Sequence, residues 1–229
     1  MENNIEYKII EDITHGPLKS AYVGGAPFDK AKEALERRGY RIISLEEMAR
    51  LRIQEGKGAE ISLKGNWVRE GLIYAKKGEV FLTKNSPIME LPVEATECHR
   101  NGRDFDDLAK IDRMTCEDGR SPLSRAHANS CKVGCADLEI PMSKMDKWKL
   151  ISYAFGSQAK DYVDFLKESL IDPPIINSLW YMPDIHTFAV QAWLTGLNKS
   201  KYGSISGADD WAMGRYLSCG YRSRGVKEE

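Results

Sequence analysis

Long hydrophobic runs are missing from this chain. No apolar stretch exceeds about five residues, against the roughly 20 that a helix needs to cross a bilayer, so membrane insertion is not expected. A surplus of one charge is missing as well. Lys and Arg number 33 and Asp and Glu 34, for a net charge of −1. The balance holds locally, with 16 of each sign in residues 1–100, nine of each in 101–150, and eight basic against nine acidic in 151–229. A nucleic-acid binder carries a basic stripe or domain, and only Arg215, Arg222 and Arg224 come close to one, so nucleic acid is not expected as a partner. The opening Met1-Glu-Asn-Asn-Ile-Glu6 lacks the basic-then-apolar pattern of a secretory signal, which predicts synthesis in the cytoplasm without export by the usual route. Cysteines are few and odd in number, at 98, 116, 131, 135 and 219, so free thiols or a metal are expected rather than a disulfide framework. No Gly-rich phosphate loop is present: Gly24-Gly25 before Pro27 comes nearest and lacks the spacing.

What is there reads as globular. The 229 residues are 42% hydrophobic and 29% charged, and a chain of that length buries roughly 70% of its unfolded surface. Ser20–Val23 is a short apolar run ending in Gly24-Gly25. Pro27 opens an amphipathic helix over 28–38, with Phe28, Ala31, Ala34 and Leu35 on one face and Gly39 as its stop. Tyr40–Ile43 reads as a strand. Ser44 followed by Glu47 predicts a capping box at the head of a second helix, roughly 45–54. Short strands are expected at Ala59–Lys64, Trp67–Ala75 and Glu79–Thr83, the last two joined by a Lys76-Lys77-Gly78 turn. Residues 93–140 are polar and turn-rich. Helix is expected over 146–170, ended by Asp172-Pro173-Pro174, and again at about Thr187–Thr195, closed by Gly196.

Several constellations could carry chemistry. Cys116, His127, Cys131 and Cys135 are candidate zinc ligands, and the last three would stack on one face of a helix. Their spacing matches no paired CxxC pattern, and buried cysteines also serve as small hydrophobes. Cys98-His99 suggests a nucleophile and base, yet adjacent residues of a strand point to opposite faces. His186 beside Asp184 and His15 beside Gly16-Pro17 read as helix-start and turn residues. Asp104, Asp106 and Asp107 read as a solvated helix start. No enzyme is predicted, and no metal or cofactor.

Composition changes near the C-terminus. Asn198–Tyr221 holds four Ser, four Gly, three Tyr, two Asp, one Asn and one Cys, with few aliphatics. These are the residue types of binding loops, where Tyr gives rigid contact area and small polar residues give adaptable hydrogen bonds. The same composition also describes a long surface loop.

Phe28–Leu51 (FDKAKEALERRGYRIISLEEMARL) resembles the opening helix–strand–helix of C-type-lectin-like folds, especially the formylglycine-generating-enzyme branch. Gly65-Asn-Trp-Val-Arg-Glu-Gly71 is similar to the tryptophan-bearing strand that follows there. Ala95–Gly102 (ATECHRNG), Phe188–Leu197 (FAVQAWLTGL) and Leu217 with Arg222-Ser-Arg224-Gly-Val226 resemble an archaeal family of variable proteins with the C-type-lectin fold, the targets of diversity-generating retroelements. The resemblance spans roughly 20–226 and is thin between 103 and 140. It implies a reverse transcriptase that misreads template adenines, turning AAY codons into NNY. Asn198, Ser200, Tyr202, Ser204, Ser206, Ala208, Asp209, Asp210, Arg215, Tyr216, Ser218, Cys219, Gly220 and Tyr221 fit the NNY set, whereas Lys199, Lys201, Trp211 and Met213 do not. The Glu-Pro-Asn and Trp-Asn-Asp motifs of calcium-dependent sugar binding are absent, and the oxidase's paired cysteines have no counterpart.

The resemblance therefore implies one α+β, C-type-lectin-like domain over 1–229, with two helices, short antiparallel strands and an irregular variable segment at about 196–226. Trp193, Leu194, Leu197, Leu217 and Val226 would be anchors, and Arg224 would tie the last strand back through charge-assisted hydrogen bonds. The variable positions, with Trp211 beside them as a contact residue, would bind a macromolecule, either a protein or a cell surface. Virion association is open. The alternatives are a metal- or cysteine-dependent enzyme and a non-variable structural or virion protein.

Overall fold

A computed structural model describes residues 7–14, 18–75, 79–100, 119–135, 139–169, 175–177, 188–194, 205–207 and 220–227. Strands β1 (Lys8–Thr14) and β2 (Lys19–Gly25) pair antiparallel and lead into helix α1 (Phe28–Glu36). Pro27 sits at the N-cap, where its missing N–H costs nothing, and Gly39 at φ 78° turns the chain after the helix as expected. The two-residue strand β3 (Arg41–Ile42) follows, then α2 (Leu45–Glu55). The capping box forms: Glu47 N–H donates to Ser44 Oγ at 3.1 Å, and Ser44 N–H donates to Glu47 Oε2 at 2.9 Å.

The expected strand at Ala59–Lys64 is instead a short helix, α3 (Glu60–Leu63). Its Ile61 and Lys64 carbonyls accept from the guanidinium of the fully buried Arg52, and Ser62 Oγ donates to Gly56 O. Those long-range acceptors need a turn, which local alternation over six residues could not show. Strands β4 (Asn66–Ala75) and β5 (Glu79–Thr83) pair in the hairpin register, while the turn itself, 76–78, lies outside the described residues.

The polar stretch 93–140 holds more order than expected: α4 (Pro92–Arg100), α5 (Pro122–Ala128), β6 (Ser130–Cys135) and β7 (Glu139–Pro141). The helical stretch 146–170 is two helices, α6 (Lys149–Phe155) and α7 (Ala159–Ser169), broken at Gly156. Beyond them come β8 (Ile175–Asn177), β9 (Phe188–Leu194), β10 (Ile205–Gly207) and β11 (Gly220–Lys227). The helix expected at Thr187–Thr195 is thus corrected to a strand. Phe-Ala-Val-Gln-Ala-Trp-Leu mixes both periods, and pairing with β4 on one edge and β10 on the other decides for extended backbone. No helix among the described residues is long and apolar enough to cross a membrane.

The main sheet runs β1-β2-β11-β4-β5-β6, with β9 paired to β4, β10 to β9 and β3 to β11. The last strand is therefore interior, held antiparallel by β2 and bridged in parallel to β4 at Ser223↔Trp67. Alternation along β11 assigns its side chains to two cores. Gly225 faces α1: a Cβ there would meet Leu35 and Tyr40 side-chain atoms at 2.9 Å. Arg224 and Val226 face the opposite core, where Val226 is wholly buried with Leu45, Met48 and Ile151. Ala21, Val23, Phe28, Leu35 and Trp67 form the core under α1.

A candidate binding surface at the head of the last strand

The candidate residues meet the described structure at the ends of three strands. Leu194, the last residue of β9, lies opposite Asn66 of β4 on one side and Ile205 of β10 on the other. Ser206 lies opposite Trp193, and Gly207 opposite Ala192. Gly220 opens β11 opposite Gly25, and Ser223 lies opposite both Val23 and Trp67. The described residues that flank segments 195–204 and 208–219, namely Leu194, Ile205, Gly207 and Gly220, thus lie in β9, β10 and β11 of one sheet, and Asn66 and Trp67 of β4 bridge the patch between β9 and β11.

That patch is rigid for physical reasons. Trp67 is buried and meets Phe28 edge-to-face at 6.3 Å, tying β4 to the first turn of α1. Asn66 is buried, with Nδ2 donating to Lys64 O at 3.3 Å. Below it, Arg224 is 1% exposed. Its Nε and Nη2 donate to Ser20 Oγ at 3.1 and 2.8 Å, its Nη2 also to Glu55 Oε1 at 2.6 Å, and Nη1 stands 3.7 Å from Glu60 Oε2. Burial holds the Arg224 guanidinium below its ordinary pKa, with Glu55 and Glu60 pulling the other way. The expected clamp on the last strand is present. Its partners lie on β2, α2 and α3.

The strand's far end is tied separately. Tyr40 Oη donates to Asp12 Oδ1 at 2.8 Å, and Lys227 Nζ stands 3.2 Å from the same oxygen and 4.3 Å from the centre of the Tyr40 ring. The Tyr40 hydrogen bond and then Lys227 hold the Asp12 carboxyl below its ordinary range, while Tyr40 and Asp12 hold Lys227 above its own. An open cleft of about 300 Å³ beside Tyr40, Arg41 and Lys227 belongs to this end, away from Gly220.

Of the candidate contact residues, the structure places Ser206, Gly220 and Tyr221 in strands; Asn198, Ser200, Tyr202, Ser204, Ala208, Asp209, Asp210, Trp211, Arg215, Tyr216, Ser218 and Cys219 lie outside the described residues. Of the anchors, Trp193 and Leu194 are in β9 and Val226 is in the core, while Leu197 and Leu217 lie outside the described residues. The zinc constellation loses its expected geometry. His127 lies in the last turn of α5, whereas Cys131 and Cys135 belong to β6, because Asn129 caps the helix before them. His127 packs edge-on against Phe81 at 4.6 Å, and Cys116 lies outside the described residues. Among the described residues no group of three or more His, Cys, Asp or Glu could hold a metal ion. Cys98 and His99 lie in α4 rather than on a strand, so the opposite-face argument does not apply to them. His15, Asp104, Asp106, Asp107, Asp184 and His186 lie outside the described residues.

One buried group escaped the sequence reading. Glu70 of β4 is wholly buried, accepts the Leu45 N–H at 2.9 Å through Oε2, and has no partner on Oε1. Burial pushes its carboxyl up to about 7, against weaker opposing effects of that hydrogen bond and of Lys84. A Glu just before the apolar run Gly71-Leu72-Ile73-Tyr74 of a predicted strand was the available signal.

No protein-family model matches the chain, and no curated protein does. Among solved structures it is similar to one described as the accommodation of massive sequence variation in Nanoarchaeota by the C-type lectin fold. That likeness has a TM-score of 0.54 and 14% identity over 99% of both chains. The chain has the C-type lectin fold, in its mixed α+β form.

Proposed function

We propose that this chain is a ligand-binding variable protein: a fixed C-type-lectin scaffold that displays a diversified surface over about 196–226. It acts by binding, without catalysis, metal or cofactor. The carrying observation is the arrangement at the head of β11. The described residues flanking both compositionally unusual segments lie in neighbouring strands of one sheet, β9, β10 and β11 around β4, and Arg224 clamps the strand that follows them. A surface that must change while the fold persists needs that separation, since losing a large core side chain costs about 2–5 kcal/mol and exposed changes mostly under about 0.5. The solved C-type-lectin structure with 14% identity, described as accommodating massive sequence variation, supports the same reading.

The ligand is a macromolecule, a protein or cell-surface component. Tyr216, Tyr221 and Trp211 supply its central contacts, because aromatic side chains dominate binding hot spots. Diversification is by a retroelement that rewrites adenines in codons 196–226. The test is the DNA around the gene. A near-repeat of those codons, differing only where one copy has adenine and lying beside a reverse transcriptase gene, is the expected result. A locus with neither feature removes the retroelement, and identical sequences across many isolates remove the variable surface.

A further inference from the structure

Where β4 changes neighbours, the sheet splits. At Trp67 its partners are β9 and β11, whereas from Gly71 to Tyr74 they are β9 and β5. Residues 68–70 between them carry a register shift against β9. Here Ile43, the residue before the Ser44 N-cap of α2, links β11 to β4. Ile43 N–H donates to Arg224 O at 3.1 Å, Arg69 N–H donates to Ile43 O at 3.0 Å, and Ser86 N–H donates to Arg69 O at 2.8 Å. Glu70 sits at this joint, with one oxygen on the first amide of α2 and the other buried without a partner.

We propose that Glu70 is a proton-operated latch on the α2–β4 joint: protonated it keeps the split sheet closed, and ionised it loosens the bulge from which β9 hangs. The physical cause is the poverty of its surroundings. A neutral carboxyl beside the Leu45 N–H and its own backbone N–H is tolerable in an apolar interior, but burial makes a full charge there costly, outweighing both amides and the distant Lys84. The ionisable groups facing it are Arg69 beside it, Lys84 on the turn after β5, Tyr153 of α6 and, through Tyr153, Cys131 of β6. Lys84 is already engaged, donating to Ala154 O at 3.2 Å and lying 5.0 Å from the centre of the Tyr153 ring. Glu46 and Glu47 of α2 are turned away, to Ser157 and to Arg41 with Ser44. β9 has no ionisable residue between Phe188 and Leu194. Ionisation thus draws Lys84 off Ala154 or admits water to the joint. The raised pKa of about 7 gives the sign. Between the ordinary value of 4.5 and about 7 the folded chain keeps a proton that the unfolded chain has released. Glu70's contribution to stability is therefore undiminished below 4.5, falls as pH rises through that window, and is flat above it.

The first test is a carbon-detected carboxyl titration of the wild-type protein, which needs no variant. A single Glu carboxyl titrating near neutrality is expected, and all carboxyls titrating between pH 3 and 5 overturns the latch. The second compares amide exchange of wild type and Glu70→Gln at pH 6 and 8.5. Wild type should lose protection at Leu45 and residues 67–72 beyond the intrinsic base-catalysed factor, and the variant should not. Equal changes in both overturn it. That the loosening reaches the displayed surface rests on the proposed function; neither test does, so the latch can fail while that reading stands.

Discussion

Arg224 shows at the scale of one residue how this fold is closed. Its guanidinium reaches Ser20 of β2 and Glu55 of α2 from a strand that would otherwise be held by backbone bonds and Val226. Removing one partner of a buried pair leaves the other uncompensated, at about 3–5 kcal/mol. Arg224→Ala should therefore lower stability by about that much in denaturant unfolding. Glu60→Gln, at a half-exposed carboxylate 3.7 Å away, should change it by less than about 1 kcal/mol. Equal losses from the two would contradict the clamp. Gly225 makes the complementary case: an added Cβ meets the Arg41 carbonyl at 3.1 Å as well as Leu35 and Tyr40. Backbone cannot swing aside, so Gly225→Ala should cost about 1–3 kcal/mol by the same measurement. The role of Arg224 was legible in the sequence, as a fixed arginine in a stretch of small polar residues. Its partners were not, because they lie 204 and 169 positions away.

Elements were legible where local rules act alone. Pro27, Gly39 and the Ser44–Glu47 box mark α1 and the start of α2 by capping chemistry, which needs no distant contact. Ser44→Ala should accordingly cost about 1 kcal/mol, read as a lower thermal midpoint with the fold kept. Elements were misread where tertiary contacts decide. Within Ala59–Lys64, Glu60–Leu63 turns helical, with the Ile61 and Lys64 carbonyls accepting from Arg52, and 188–194 is extended because β4 and β10 pair with it. The break between α6 and α7 is of the same kind. Gly156 adopts φ 50°, and Ser157 N–H and Oγ–H both donate to Glu46 Oε1. A Cβ at 156 would meet that carboxylate at 2.5 Å, so Gly156→Ala should destabilise by both strain and lost bonds. A helix running unbroken over 146–170 would have tolerated it.

Over the whole molecule, the order β1-β2-β11-β4 places the final strand inside the sheet with α1 on one face and α2 on the other. Strand β11 is bracketed on both edges, so residues before it can change without exposing a sheet edge. The fold thus carries its energy in burial, at roughly 25 cal/mol per Å², and in the Arg224 network. The proposed surface is left to small polar residues and Tyr. The sequence pointed to the C-type lectin fold through the helix–strand–helix of 28–51 and the Trp67 strand, and the structural likeness agrees. The joint at Glu70 was hidden, because a β-bulge leaves no periodic mark.

The most direct test of a scaffold separate from its surface is the thermal midpoint across a small library. Ala208, Asp209, Asp210, Ser218, Cys219 and Tyr221 would be exchanged among Ser, Gly, Asp, Asn and Tyr, and compared with Ala at Trp67, Arg224 and Val226. Library members should stay within a few degrees of the parent, while the three scaffold substitutions each lower the midpoint by roughly 5 °C or more. Equal losses in both sets would contradict the account.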